Sequence, residues 1–351
     1  MEKLNPEQLL LEKERLESLR LELEEKNKQM WAMSEMVYKE KKKTEEQLNE
    51  ILNEKSKLEE QKRENEEKVK MLWEQSTAIH FEKERIDKLK TQVEYRHKEI
   101  IDSVLYAKKI QQAILPSQDY VNSILSDSFI LFKPRNIVSG DFFWVYKIDE
   151  HRVLFAAVDC TGHGVPGAFM SIMGYHLLER VVSEQKIYEP AQILDELSKG
   201  VVKSLRQTTE LDSVKDGMDI ALCKIDYENY TLQYAGAHNP LYLIRNGILN
   251  ETKADRRSVG ISVGTKVSQF TNHTIQLEKG DCIYLFSDGY VDQKGGPENV
   301  KFFYQPFKEL LLKICPETMA EQYLALDKVI TEWKGERGQM DDMLVMGVRV
   351  H

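Results

Sequence analysis

Residues 1–112 contain no glycine, and Pro6 at the entrance is their one proline, so nothing in this run stops a helix once it has started. Every seventh residue from Leu9 (Leu16, Leu23, Met30, Val37, Thr44, Ile51, Leu58, Asn65, Leu72, Ile79, Ile86, Val93, Ile100) is apolar, except Thr44 and Asn65. In a segment otherwise rich in Glu, Lys and Gln, that repeat predicts a coiled coil. An Asn at such a position fixes register and strand number and lowers stability. The stripe three residues on is poorer: Leu19, Met33 and Leu89 are apolar, but Lys26, Gln47, Gln61, Gln75 and Arg96 are not. Half a seam makes a coil that shifts register easily. As one helix the run would be roughly 160 Å long. A lone helix would have nothing to cover its stripe, so a parallel homodimer, or a coil with a partner, is expected. The plain alternative is an inert spacer.

The stripe continues through Ala107 and Ile114, and Pro116 should end the helix. Val104, Leu105, Ile110 and Leu115 widen the apolar face between 101 and 115, as a helix docking on a body requires. The chain therefore divides into a coiled-coil dimerisation and regulatory arm, 1–112, with a joint at 101–115, and a body, 113–351. A net charge of −9 argues against a nucleic-acid surface. No apolar run is long enough to span a membrane, and the polar N-terminus shows no signal peptide. Cys160, Cys223, Cys282 and Cys315 form no Cys-x-x-Cys pair, so reduced thiols and a cytoplasmic location are expected.

In the body the pattern changes to short strands. Asp141–Ile148 and Val153–Asp159 flank the polar turn Asp149-Glu150-His151-Arg152, a hairpin signal. Further strands are expected at Ile220–Ile225, Thr231–Ala235, Leu241–Arg245, Phe270–Leu277, Cys282–Phe286 and Met343–Val350. Helices are expected at Gly167–Val182, opened by Pro166, and at Ala191–Gln207, Tyr304–Lys313 and Thr318–Trp333. Antiparallel hairpins with two pairs of helices imply an α+β layered body.

Carboxylates recur where strands end. With the hairpin turn centred on Glu150, Asp141 lies opposite Asp159, about 5 Å away at Cβ. Two like charges at that distance require a cation between them or a proton on one. Asp288 follows the strand Cys282–Phe286 in Ser287-Asp288-Gly289, and Asp341-Asp342 opens Met343–Val350. Oxygen ligands alone suit hard cations such as Mg²⁺ or Mn²⁺. Each acid has a bland reading: Asp159 a helix cap, Asp288 a turn residue, Asp341 a strand-edge charge. All of them together, next to glycines, favour a metal centre. A nucleotide-binding loop at Gly162-His163-Gly164 ranks last among the readings, because it lacks the Gly-x-Gly-x-x-Gly spacing and the Walker lysine.

The succession Ser139-Gly140-Asp141-Phe142-Phe143, Asp159-Cys160-Thr161-Gly162-His163-Gly164-Val165-Pro166-Gly167-Ala168, Ala235-Gly236-Ala237-His238-Asn239-Pro240, Ser287-Asp288-Gly289 and Asp341-Asp342-Met343 resembles the metal-dependent protein phosphatase (PPM) superfamily, and within it the bacterial SpoIIE-like branch. The resemblance spans about 115–351. It implies a four-layer α-β-β-α sandwich and a centre of two Mn²⁺ or Mg²⁺ ions. It also implies hydrolysis of phosphoserine or phosphothreonine in a protein by a metal-activated water, with no side chain as nucleophile. Asp141, Asp159, Asp288 and Asp341 match the family's metal acids, and Cys160 the residue that binds through its backbone carbonyl. Asp292 matches a position that serves a third metal, and Arg135 is the candidate for phosphate contact. Gly162, His163 and Gly164 shape the loop, with His163 not a ligand. By the same analogy the helical arm switches the competence of the metal site, and the substrate is a small phosphoserine-bearing regulator of the anti-sigma-factor-antagonist kind. The competing expectation is a catalytically silent coiled-coil scaffold with a phosphoprotein-binding module.

Overall fold

The computed structural model describes residues 5–208, 215–260 and 269–351. Its first element is α1 (Pro6–Ile114), a helix of 109 residues that ends two residues before Pro116. The chain divides into two compact units, one through Glu94 and one from Tyr95 to His351. From Pro6 the first is helix, and Leu16, Leu23, Met30, Ile51, Leu58 and Leu72 of its heptad stripe stay exposed in the single chain.

The second unit contains the last turns of α1, and then α2 (Gln118–Ile124), β1 (Ser128–Lys133), β2 (Phe142–Lys147), β3 (Arg152–Cys160) and α3 (Gly164–Glu179). After α3 the helix continues as one π-helical turn, Arg180–Glu184, and then come α4 (Pro190–Ser204), β4 (Met218–Asp226), β5 (Thr231–Ala237), β6 (Leu241–Arg245) and β7 (Ile248–Thr252). The order ends with β8 (His273–Gln276), β9 (Cys282–Phe286), α5 (Gly289–Asp292), the short β10 (Lys294–Gly295) and β11 (Val300–Lys301), α6 (Tyr304–Ile314), α7 (Met319–Lys334) and β12 (Met343–Arg349).

Two antiparallel five-stranded sheets, ordered β1-β12-β9-β6-β7 and β2-β3-β4-β5-β8, stack face to face. Helices α3 and α4 cover the second sheet, and α6 and α7 cover the first, so the α-β-β-α expectation is met. The reason is legible in β3. Val153, Phe155 and Ala157 point into the layer between the sheets, while Leu154, Ala156 and Val158 point into the layer under α3 and α4. A strand covered on both faces reads as a continuous apolar run. Strand β9 does the same, sending Ile283 and Leu285 between the sheets and Tyr284 and Phe286 under the helices.

Local chemistry sets the ends of these elements. Asp149 accepts hydrogen bonds from the backbone N–H of His151 (3.0 Å) and Arg152 (2.8 Å), which closes the β2–β3 turn and pins the register Phe142 to Val158 through Lys147 to Val153. Thr318 and Glu321 form a capping box at α7, and Pro190 stands in the first turn of α4. Helix α3 starts at Gly164, two residues before the expected Pro166, and β8 is shorter than Phe270–Leu277. The sequence reading passed over β7, whose pattern is mostly polar because it is an edge strand.

One polar side chain of α1 is buried. The Gln111 amide donates to Ser139 O (2.7 Å) and to Ser171 Oγ on α3 (2.9 Å), and its oxygen accepts from Ser139 N–H (3.1 Å). Gln111 thus ties the end of α1 both to the loop that carries Asp141 and to α3. Gln111→Ala removes three bonds from a buried network and should destabilise the body by about 1–3 kcal/mol. Urea unfolding of the two proteins checks this, and a loss below about 0.5 kcal/mol would show that the network carries no weight.

Candidate metal centre

Asp159 is next to last in β3, Asp288 follows β9, and Asp341 stands just before β12. These three side chains line one polar cavity of about 200 Å³, together with Asp219 of β4, Ser258, His163 and the Cys160–Gly162 loop. Asp141 precedes β2 and is almost fully buried beside them. Among the described residues no three His, Cys, Asp or Glu side chains stand in a ready-formed ligand shell. The acids ring the cavity.

Their electrostatics follow from that ring. Burial pushes the Asp141 carboxyl well above the usual carboxylate range, and the charges of Asp159, Asp342 and Asp341 add to it against a Ser287 hydrogen bond. Burial, then Asp288, Asp341 and Asp219, push Asp159 up to about 8, with a hydrogen bond to Asp141 opposing. Asp288 rises to about 6 through burial and through Asp292 and Asp341. One oxygen of Asp141, Oδ2, is buried without a hydrogen-bond partner. A buried carboxylate oxygen with no donor, in a ring of acids and backbone oxygens, fits a hard divalent cation.

Neighbouring residues hold this ring in place. Asp342 does not line the cavity. It is buried and accepts from Gly140 N–H (2.7 Å) and Arg135 N–H (2.6 Å), clamping the loop before Asp141. A methyl group at Gly140 or Gly167 would overlap the Gly162 carbonyl oxygen, so neither of these two positions can take a side chain. Gly162 and Gly164 both adopt left-handed backbone, with φ of 87° and 65°. The N-cap of α3 is His163, whose side chain makes no capping bond, and Asp159 caps no helix. His163 Nδ1 instead lies 2.9 Å from Asn136 Oδ1. The Cys160 side chain is packed in the core, so only its backbone reaches the cavity. Asp292 pairs with Lys301 (2.7 Å) and does not line the cavity, nor does Arg135, whose side chain is exposed.

Asp219 is a residue the sequence reading missed. It lies directly opposite Asp159 in the β3–β4 ladder and accepts a 2.6 Å hydrogen bond from Ser258 Oγ. Burial raises its carboxyl, while Ser258 and His238 hold it down. An acid heading the apolar run Ile220–Cys223 of β4 was the available signal.

The family model for stage II sporulation protein E (SpoIIE) matches residues 149–351. The chain belongs to the SpoIIE family. It is similar to the phosphoserine phosphatase RsbU of Bacillus subtilis, 28% identical over 197 residues that make up 56% of this chain and 55% of RsbU. It is also similar to the phosphoserine phosphatase RsbP of the same organism, 25% identical over 53% of this chain and 44% of RsbP. The chain thus spans about half the length of these curated relatives. Among solved structures it resembles the SiaA-PP2C domain of Pseudomonas aeruginosa, with a TM-score of 0.65 and 32% identity over 73% of this chain and 98% of that one. The PP2C phosphatase domain and regulatory fragment of SpoIIE from Bacillus subtilis shares the fold at a TM-score of 0.52 and 19% identity, over 64% of this chain and 61% of that one. As a SpoIIE-family member the chain falls within the PPM superfamily of metal-dependent phosphatases.

The raised carboxyls make the metal-free body sensitive to pH. A group whose pKa is higher folded than unfolded binds more protons in the folded state between the two values, so stability falls as pH rises through that window. For Asp288 the window closes near 6 and for Asp159 near 8. The melting temperature in chelator should therefore fall between pH 5 and pH 8, and Mn²⁺ should restore it at pH 8. A metal-free melting temperature that is flat or rising across that range would contradict this account.

Proposed function

We propose that the chain is a metal-dependent serine/threonine protein phosphatase that removes phosphate from phosphoserine or phosphothreonine in a bacterial regulatory protein. The observation that carries this reading is the buried, unpartnered Asp141 Oδ2 within a ring of acids drawn from both sheets. Membership of the SpoIIE family and the resemblance to two phosphoserine phosphatases support it.

In this reading Asp141, Asp159, Asp288, Asp341 and the Cys160 carbonyl hold two Mn²⁺ or Mg²⁺ ions, and Asp292 can serve a third. Bound there, the ions would polarise a phosphoryl oxygen and activate a water for in-line attack. The chain's own work is positional. Asp342 fixes the Gly140 loop and hence Asp141. The glycine crossing lets the Cys160–Gly162 backbone approach the cavity. Ser258 fixes the Asp219 carboxylate against the same wall. Arg135 remains the candidate phosphate contact from its position after Lys133-Pro134. The substrate proposed is a small phosphoserine-bearing regulator of the anti-sigma-factor-antagonist kind. Among the described residues no helix is long and apolar enough to cross a membrane, and a cytoplasmic setting is proposed.

Hydrolysis of p-nitrophenyl phosphate by the full chain tests the reading. Turnover should require Mn²⁺ or Mg²⁺, and Asp159→Asn or Asp288→Asn should each reduce it on the order of a hundredfold or more. Retention of near wild-type turnover in both variants would overturn it.

We further propose that the arm acts as a parallel homodimeric coil that regulates this activity. The exposed heptad stripe supports the dimer, and the Gln111 link between α1, the Asp141 loop and α3 supports the coupling. Gln47→Leu, Gln61→Leu and Gln75→Leu together add three apolar residues to the second stripe. The triple variant should hold one activity state, read as a several-fold change in Mn²⁺-dependent turnover that no longer varies with conditions altering the coil. Unchanged turnover in a variant with confirmed dimers would sink the coupling.

A further inference from the structure

The stretch Ala235-Gly236-Ala237-His238-Asn239-Pro240 carries part of the family resemblance but contributes no acid, and its geometry is unusual. His238 adopts left-handed backbone with φ of 56°, and Asn239 N–H donates back to Ala237 O at 2.7 Å, a γ-turn centred on a non-glycine residue. Three bonds hold it there. His238 N–H donates to Asp255 O (2.9 Å), Asp255 N–H to Gly236 O (3.0 Å), and the buried Tyr234 hydroxyl to Asn239 O (2.6 Å). A side chain at Gly236 would occupy the space of that hydroxyl. Backbone strain that the surroundings over-determine in this way tends to mark functional sites.

The turn stands between two cavities. On one side Ala237, the residue before His238, pairs with Ile220 of β4, next to Asp219 in the acid ring. On the other His238 lines a second cavity of about 430 Å³ with Tyr242, Lys253, Arg256, Tyr304 and Lys308. Residues 255–259 wall both, since Arg256 lines the second cavity and Ser258 the first.

The charges of the second cavity do not cancel internally. Lys308 is taken up by Glu251 at 2.7 Å, and the Asp255 carboxylate, turned to Thr271 N–H (2.7 Å) and Oγ1 (3.0 Å), keeps its charge, which leaves a net positive lining from Lys253 and Arg256. Lys253 and Arg256 are exposed and, among the described residues, have neither an ion-pair nor a hydrogen-bond partner. Two free cations at the lip of a cavity that adjoins an acid ring are placed to recognise anionic groups attached to whatever enters the ring.

We propose that this cavity is the docking subsite for the polypeptide flanking the phosphoserine, and that Lys253 and Arg256 select substrates with acidic residues beside the phosphorylated position. The inference rests on the phosphatase reading and specifies its substrate class. His238, held on the partition, sets the spacing between the docked segment and the phosphoryl group.

The test uses the full chain with Mn²⁺ and two phosphoserine peptides that differ only in flanks, Asp/Glu in one and Lys in the other. Wild type should prefer the acidic-flanked peptide by about tenfold in kcat/KM, mainly through KM. Lys253→Glu with Arg256→Glu should lower that ratio by about tenfold or more, and Lys253→Gln with Arg256→Gln should fall between. A ratio that stays the same across folded variants would overturn the subsite. Failure of wild type to hydrolyse either peptide or p-nitrophenyl phosphate would instead overturn the phosphatase reading. The subsite is then decided by fluorescence anisotropy of the same labelled peptides, where the preference and its reversal are expected in Kd and their absence refutes it.

Discussion

Apolar packing between two sheets forces like charges together. Phe155 and Ala157 of β3 share a buried layer with Ile283 and Leu285 of β9 and with Leu344 and Met346 of β12. Burial of such side chains is worth about 25 cal/mol per Å², and summed over the layer it exceeds the repulsion of a few carboxylates at its rim. Strand β3 belongs to one sheet and β9 and β12 to the other, yet the three are in contact. Their acid-bearing ends therefore meet, and Asp159, Asp288 and Asp341 come to line one cavity. The carboxyls of Asp141, Asp159 and Asp288 are raised by burial first and by one another's charge second, and a bound cation would offset both.

Around that rim the backbone is held by a few specific devices. Asp342 is an acid of the same motif as Asp341 but does opposite work, since both its oxygens accept backbone N–H groups and it serves as a clamp. Gly140 and Gly167 approach the Gly162 carbonyl too closely for side chains, which lets the loop after β3 fold back beside the loop before β2. Gln111 joins this assembly from α1, so the loop that carries Asp141, the helix after Asp159 and the end of the long helix share one hydrogen-bond network.

Much of this was legible before any coordinates. The β2–β3 register follows from a turn of the type Asp149 builds, which put Asp141 and Asp159 side by side. Apolar runs as short as Cys282–Phe286 marked strands covered on both faces. Other features left no mark. Asp219 was hidden because its role depends on which strand pairs with β3, a pairing that spans some sixty residues. Gln111 is one glutamine in a segment full of them, and only docking distinguishes it. Asp341 and Asp342 are identical neighbours, and the alternation of a strand end decides which of them faces the cavity.

Period alone determined the long helix and the layered body, because seven-residue and two-residue patterns of apolar side chains admit few ways of being buried. Motif spacing determined which acids were candidates. The tertiary structure alone decided that these acids converge, that Asp219 joins them, and that Lys253 and Arg256 stand free beside them. Convergence, partnership and solvent exposure are properties of pairs of residues far apart in the chain, and they exist only once the two sheets have closed on each other.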